Sequence, residues 1–264
     1  MSETPTQMVD LERALSVARQ AAARADGIAM SYFQTANLAV ERKSDASPVT
    51  VADRHCEEAI RETLRQAFPE HAVFGEEYGH EGESRCLWLV DPIDGTRSFI
   101  RGLPFWSVQI GLMIDGELML GVSSAPAFGE TAWALSGGAA FVNDRPARVR
   151  EVARIEEADL SFGNLRSLAG GEGWGVAGQL VARAARSRGY GDFYSYHRLA
   201  DGGQDAVIES DVNILDIAAL TVICREAGAR VTDLKGRSID LATTSILAAG
   251  PNLHDQLLSL FHDA

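Results

Sequence analysis

A layered α/β fold is predicted by three features of the sequence. The N-terminal part has helical periodicity, the middle carries short apolar strands with tight-turn chemistry, and the C-terminal part alternates helical and strand patterns. Leu11, Leu15, Ala18, Ala22, Ala25 and Ile28 recur at helical spacing, which predicts a long amphipathic first helix. Ser47-Pro48-Val49-Thr50 breaks that pattern. A second helix opens with Thr50 as N-cap and Asp53 at the capping-box position, with Asp in place of Glu. Its apolar stripe is Cys56, Ala59, Ile60, Leu64 and Ala67, and Pro69 ends it.

Ala72 to Phe74, Leu87 to Val90, Val108 to Ile114 and Leu118 to Ser123 read as strands, and Asp115-Gly116 has the chemistry of a hairpin turn between the last two. Further strands are expected at Thr131 to Leu135 and Ala139 to Val142. Gly170-Gly171 reads as a flexible loop, followed by helices at Val176 to Ala185 and Asp216 to Ala227, the latter closed by Gly228. A strand at Ser245 to Ala249 and a helix at Leu253 to Phe261 complete the pattern. A single catalytic domain over 1–264 is expected, divided near residue 145 into two halves.

The 264 residues are 46% hydrophobic and 23% charged, which excludes a disordered or fibrous chain. A formal charge of -13 argues against nucleic acid and membrane as partners, since both are polyanionic surfaces. A small anionic substrate would need its site's charge reversed, and a metal ion does that directly. Cys56, Cys86 and Cys224 form no C-x-x-C pair and read as buried thiols of a reducing compartment. Met1 to Asp10 shows no basic-then-apolar signal pattern, and no apolar run is long enough to span a bilayer. A soluble, cytoplasmic protein is expected.

The strongest chemical signal is Trp88-Leu89-Val90-Asp91-Pro92-Ile93-Asp94-Gly95-Thr96. An apolar strand ends in Asp91, Pro92 fixes a turn, and Asp94 follows, so two carboxylates are held at one strand end. Gly95 permits close backbone approach, and amides at a helix start favour an anion. Hard oxygen ligands beside an anion site suit Mg²⁺-dependent phosphoryl chemistry. An Asp-Pro turn followed by an N-cap would give the same residues. Glu76-Glu77 follows the strand Val73-Phe74-Gly75, and Asp216 opens an apolar helix; each alone also reads as a solvated loop or a cap. Together these acids would repel one another without cations between them.

Gly75-Glu76-Glu77, Asp91-Pro92-Ile93-Asp94-Gly95-Thr96 and Asp216-Ile217-Ala218-Ala219 resemble the three signatures of the inositol monophosphatase superfamily, and Thr50 to Asp53 resembles its upstream Thr-x-x-Asp element. The resemblance implies an α/β/α/β/α sandwich, commonly a homodimer, that uses Mg²⁺ and is inhibited by Li⁺. It implies one Mg²⁺ on Glu76, Asp91 and the Ile93 carbonyl, and a second on Asp91, Asp94 and Asp216. A third, weaker ion would sit near Glu76, and the Gly95 and Thr96 amides would take the phosphate. Glu76 and Thr96 would position a metal-activated water for in-line attack, with Asp53 orienting the Thr96 hydroxyl. Leu215 departs from the family, which has an aromatic residue before the last metal aspartate.

Arg188-Gly189-Tyr190-Gly191-Asp192-Phe193-Tyr194-Ser195-Tyr196 and Arg101-Gly102-Leu103-Pro104-Phe105-Trp106 are similar to the branch acting on L-histidinol phosphate. Asp192 and Glu209 would favour its ammonium and imidazole over neutral inositol. Alternative substrates are inositol 1-phosphate and 3′-phosphoadenosine 5′-phosphate. A non-enzymatic alternative is an inactive scaffold relative. Tyr190, Tyr194 and Tyr196 read as core or rim, His197 as core or surface, and the other histidines show no ligand spacing.

Overall fold

The computed structural model describes residues 9–35, 40–42, 48–171 and 173–262; Met1–Met8 of the N-terminal segment and Ser47 of the helix-breaking run lie outside the described residues. The elements run α1 (Leu11–Tyr32), β1 (Val40–Arg42), β2 (Pro48–Thr50), α2 (Val51–Ala67), β3 (Ala72–Gly75), β4 (Gly79–Glu81), β5 (Cys86–Asp94) and α3 (Thr96–Ile100). They continue with β6 (Ser107–Ile114), β7 (Glu117–Ala125), β8 (Glu130–Leu135), β9 (Ala140–Val142), β10 (Arg145–Ala147), β11 (Asp159–Gly163), α4 (Leu165–Gly170) and α5 (Trp174–Arg183). The last are β12 (Arg186–Arg188), α6 (Asp192–Ala200), β13 (Ala206–Ser210), α7 (Ile214–Glu226), β14 (Arg230–Thr232), β15 (Ser245–Ala249) and α8 (Pro251–His262).

Two large sheets carry the architecture, an eight-stranded one ordered β10-β9-β8-β7-β6-β5-β3-β4 and a five-stranded one ordered β12-β11-β13-β15-β14. Three apolar cores separate five layers. Helices α1 and α2 bury Ala14, Ala18, Ala25 and Ile60 against Trp88, Val90, Leu112 and Val122 of the first sheet. Leu89 and Met113 point to the opposite face, where they join Ile217, Leu220 and Phe193 of the middle helices and Val207 and Ala248 of the second sheet. Ile208 and Leu247 face outward to Leu168, Leu180, Leu253 and Leu257 of α4, α5 and α8. The alternation of neighbours such as Trp88 and Leu89 is the two-residue period of a strand buried on both faces.

Two glycines set the spacing of the middle layer. A Cβ at Gly121 would stand 2.2 Å from the Ala219 carbonyl oxygen, and one at Gly111 would stand 3.0 Å from the Ala218 Cβ. Helix α7 therefore lies directly on the backbone of β6 and β7.

Three expectations need correction. Strand β5 does not stop at Asp91 but runs to Asp94, with a register shift against β6 between the two aspartates. Pro92 has no N–H for the ladder, so the strand bulges there rather than turning away. The helix expected from Asp216 starts at Ile214, capped by Asn213. Gly170-Gly171 is not a free loop, because Gly170 closes α4 and the Gly171 N–H donates to the Leu168 carbonyl at 3.3 Å. The three cysteines are buried free thiols, as expected.

Candidate active site

Three elements from distant parts of the sequence deliver their ends to one place. The bulge in β5 supplies Asp91 and Asp94, and the Ile93 N–H donates to Asp91 Oδ1 at 3.0 Å, fixing that carboxylate over the bulge. The first turn of α7 supplies Asp216, whose Oδ2 accepts from the Asn213 N–H at 3.0 Å and Oδ1 from Asn213 Nδ2 at 2.7 Å. Asp91, Asp94 and Asp216 each present an oxygen, and the three oxygens lie within 4.8 Å of one another. Glu76 follows β3, with its N–H on the Val90 carbonyl at 3.1 Å.

Asp91 and Asp94 are 2% and 9% exposed. Burial holds both carboxyls well above the usual carboxylate range, and the charges of Glu76 and Asp216 push them further the same way. Asp94 feels Asp192 most strongly of its charged neighbours and Glu209 as well, which joins the two expected substrate-contacting acids to the cluster. Burial raises Asp192 and Asp216 to about 6 and Glu209 to about 7. Carboxylates that crowd together out of water, with other acids as their charged neighbours, hold protons or cations between them.

Asp53 does two things. Its Oδ2 accepts from the Thr50 N–H at 2.8 Å and the Thr50 hydroxyl at 2.6 Å, closing the capping box of α2. Its Oδ1 accepts from Thr96 Oγ1 at 3.3 Å, and the same hydroxyl lies 3.1 Å from the Ile93 carbonyl. Gly95 sits at φ +87°, and a Cβ there would meet the Phe105 carbonyl oxygen at 2.6 Å, so this position admits glycine alone. The Gly95 and Thr96 amides precede the first hydrogen bonds of α3, which begin with Ser98 N and Phe99 N on the Gly95 carbonyl.

Asp192 is the first residue of α6, held at φ +48°. Glu209 lies on β13 and accepts from Tyr196 Oη at 2.7 Å. It lies over Gly163 of β11, where a Cβ would be 1.8 Å from Glu209 Oε1. Sequence reasoning named neither Asn213, Tyr196 nor Gly163 as part of the site. The Asn-x-x-Asp spacing before α7 is a capping-box signal that would have found Asn213; the other two contacts join Glu209 of β13 to helix α6 and strand β11 and leave no local mark. Leu215 is 5% exposed and packs into the central core, so the position next to Asp216 is filled by apolar contact. His197 is buried, bonded to Glu130 Oε1 and Ser123 Oγ at 2.8 Å each, a core role as expected.

The donor set fits a hard divalent cation. It consists of carboxylate oxygens and a nearby main-chain carbonyl, and no histidine or cysteine joins the group among the described residues. Five alternating layers with an all-oxygen cage at the strand and helix ends define a class of α/β protein built for cation-assisted chemistry on an anion.

The comparisons with known proteins make the class specific. The sequence pattern of the inositol monophosphatase family matches residues 10–264. A histidinol-phosphatase of Mycobacterium tuberculosis is 38% identical over 257 residues, covering 93% of this chain and 96% of that protein. A histidinol-phosphatase of Streptomyces coelicolor is 35% identical, covering 92% and 95%. Among solved structures, an inositol monophosphatase from Zymomonas mobilis has a TM-score of 0.86 at 30% identity, covering 97% of this chain and 100% of that one. The chain belongs to the inositol monophosphatase family.

Proposed function

We propose that this chain is a Mg²⁺-dependent phosphomonoesterase whose substrate is L-histidinol phosphate, released as L-histidinol and phosphate. The observation that carries the reading is the electrostatic union of Asp192 and Glu209 with Asp94 and Asp216. Further acids beside the cation cage favour an ester whose alcohol portion is positively charged. Histidinol-phosphatases among the relatives support the same substrate.

Glu76, Asp91 and the Ile93 carbonyl would hold one Mg²⁺, and Asp91, Asp94 and Asp216 a second, with a weaker third near Glu76. When bound, such ions act as Lewis acids that offset charge on the phosphoryl group and make a water acidic near neutral pH. The Gly95 and Thr96 amides would bind phosphate oxygens at the start of α3. Asp53 fixes the Thr96 hydroxyl, and that hydroxyl and Glu76 would orient the attacking water in line with the leaving oxygen. No side chain is asked to become phosphorylated. Asp192 and Glu209 would face the ammonium and imidazole of the substrate.

The reading carries with it a single catalytic domain, a cytoplasmic homodimer and inhibition by Li⁺. No helix among the described residues is long and apolar enough to cross a membrane. The deciding experiment is phosphate release from L-histidinol phosphate, inositol 1-phosphate and 3′-phosphoadenosine 5′-phosphate, with and without Mg²⁺. Fast, Mg²⁺-dependent release from the first alone supports the reading. Equal rates on inositol 1-phosphate would remove the substrate assignment, and no release together with a silent Mg²⁺ titration would leave a scaffold.

A further inference from the structure

One turn beyond Asp53, helix α2 buries an ion pair beneath the turn that carries Glu76. Glu57 is 0% exposed and Arg61 5%. Glu57 Oε1 accepts from Arg61 Nε at 2.7 Å and from the Tyr78 N–H at 3.2 Å, while Oε2 accepts from the Glu77 N–H at 2.6 Å. Arg61 continues to the Gly79 carbonyl at 2.5 Å and to Glu81 Oε2 at 3.0 Å. On the other side, a Cβ at Gly75 would fall 2.1 Å from Glu57 Oε1, so the carboxylate fills the space that a side chain there would need.

The backbone on both sides of Glu76 is thereby fastened. Residues 75, 77 and 78 wrap around one buried carboxylate, and the Glu76 N–H is tied to β5 through Val90. For packing alone, an apolar pair of equal volume would serve as well, because desolvating two charges offsets most of their attraction. What the ion pair adds is direction: two backbone amides and a guanidinium fork converge on fixed points. Asp53 and Glu57 stand four residues apart, on one face of α2. The first grips Thr96 and the second grips the turn that carries Glu76.

We propose that Glu57, braced by Arg61, is a positioning residue that aims Glu76 at Asp91 and so sets the affinity of the cation site they share. The proposal rests on the reading of Glu76 as a cation ligand. Helix α2 then acts as a gauge that holds the two water-orienting groups, Thr96 and Glu76, at a fixed separation.

The test is a Mg²⁺ titration by calorimetry on the full chain, run beside thermal unfolding and a Mg²⁺ dependence of turnover. Glu57→Gln should weaken Mg²⁺ binding roughly tenfold, as loss of groups that orient a ligand does. Raising Mg²⁺ should restore most of the turnover. Asp205→Asn breaks a different buried pair, Arg150–Asp205 at 2.5 Å, and should lower the unfolding temperature with Mg²⁺ affinity unchanged. Wild-type Mg²⁺ affinity in Glu57→Gln would overturn the proposal, whatever its unfolding temperature. Should Glu57→Gln not fold, Arg61→Lys keeps the charge but loses the fork; it should weaken Mg²⁺ binding by a smaller factor, and wild-type affinity in it would be equally fatal. Glu76→Gln separates the two levels. If it weakens Mg²⁺ binding and Glu57→Gln does not, only the positioning role fails; if it changes nothing, Glu76 is not a ligand and both fail.

Discussion

Two groups of carboxylates are buried in this molecule to similar depth, and their surroundings differ completely. Asp205, 1% exposed, accepts from Arg150 Nε at 2.8 Å and Nη2 at 2.5 Å and from the Asp159 N–H at 2.7 Å. Asp233, 2% exposed, accepts from the amides of Lys235 and Arg237 at 2.8 and 2.7 Å and from Arg237 Nε at 2.6 Å. Glu57 has the same kind of coordination. Asp91, 2% exposed, takes the Ile93 amide, and its charged neighbours Glu76, Asp94, Asp216 and Asp53 are all acids. Burial alone does not distinguish a structural acid from a functional one. The identity of its neighbours does: the first group is paired with guanidinium and amide groups, whereas the charged neighbours of Asp91 among the described residues are acids.

That contrast can be broken from either side. The largest effect is expected from Asp94→Asn, which should lower turnover by roughly a hundredfold or more through loss of a cation ligand. Its thermal stability without metal should equal or exceed that of the wild type, because one repelling charge is gone; a large fall in unfolding temperature would place Asp94 in the structural group. Asp205→Asn should do the reverse, costing about 1–2 kcal/mol of unfolding free energy in denaturant titration through weakened hydrogen bonds to Arg150 and the Asp159 N–H, while turnover of the folded protein is retained. That value is below the range for a fully buried pair, since the Arg150 side chain is 53% exposed.

A third expectation concerns pH. Asp192 and Asp216 at about 6 and Glu209 at about 7 lie above their ordinary values of 3.8 and 4.5. The folded state therefore binds more protons than the unfolded one between those limits, so this contribution is complete below about 4 and lost as pH rises through about 7. Metal-free protein should unfold at a higher temperature at pH 5 than at pH 7.5, by roughly 3 °C or more. Saturating Mg²⁺ should flatten the slope. Glu130, lowered between His197 and Arg198, has the opposite sign and acts below its ordinary 4.5. His71, His197 and His254, lowered from 6.5 by burial, also oppose the cluster, but only below about 6.5, so the fall from pH 6.5 to 7.5 belongs to the acids. A pH-independent unfolding temperature in the metal-free protein would refute the electrostatic reading of the cluster. The smallest effect is expected from Asp192→Ala, about tenfold on kcat/KM for L-histidinol phosphate and little on a neutral ester; uniform loss across both would remove it from recognition.

The parts of this fold that were legible in the sequence are those with an unbroken local period. The alanine-rich stripe of α1 and the meander from β6 to β8 are examples, because one residue in a known repeat decides each face. Strands β11 and β13 were not legible. Asp159 to Gly163 and Ala206 to Ser210 pair in parallel with each other, so no turn joins them to announce the pairing. Helix α6 was hidden because Gly189-Tyr190-Gly191-Asp192 reads as a turn, and Asp192 does adopt the left-handed backbone of one at the first position of the helix. The cage itself was readable through Asp91 and Asp94, which local pattern places at a strand end, and Asp216, which it places at a helix start. The contacts of Glu57 with the turn at Glu77 and Tyr78, and of Gly163 and Tyr196 with Glu209, were not, because their partners lie elsewhere in sequence and only packing joins them.

Gly111 and Gly121 have no polar side chain and lie deep in the interior, yet they govern a length on which the chemistry depends. They allow α7 to rest on bare backbone, and the height at which that helix rests decides how far Asp216 stands from the floor that carries Asp91 and Asp94. A single methyl group at Gly121 would act as a shim, raising one wall of the cage while leaving every ligand in place. Layer thickness is in this sense a catalytic dimension, adjusted by residues that contribute nothing except their smallness.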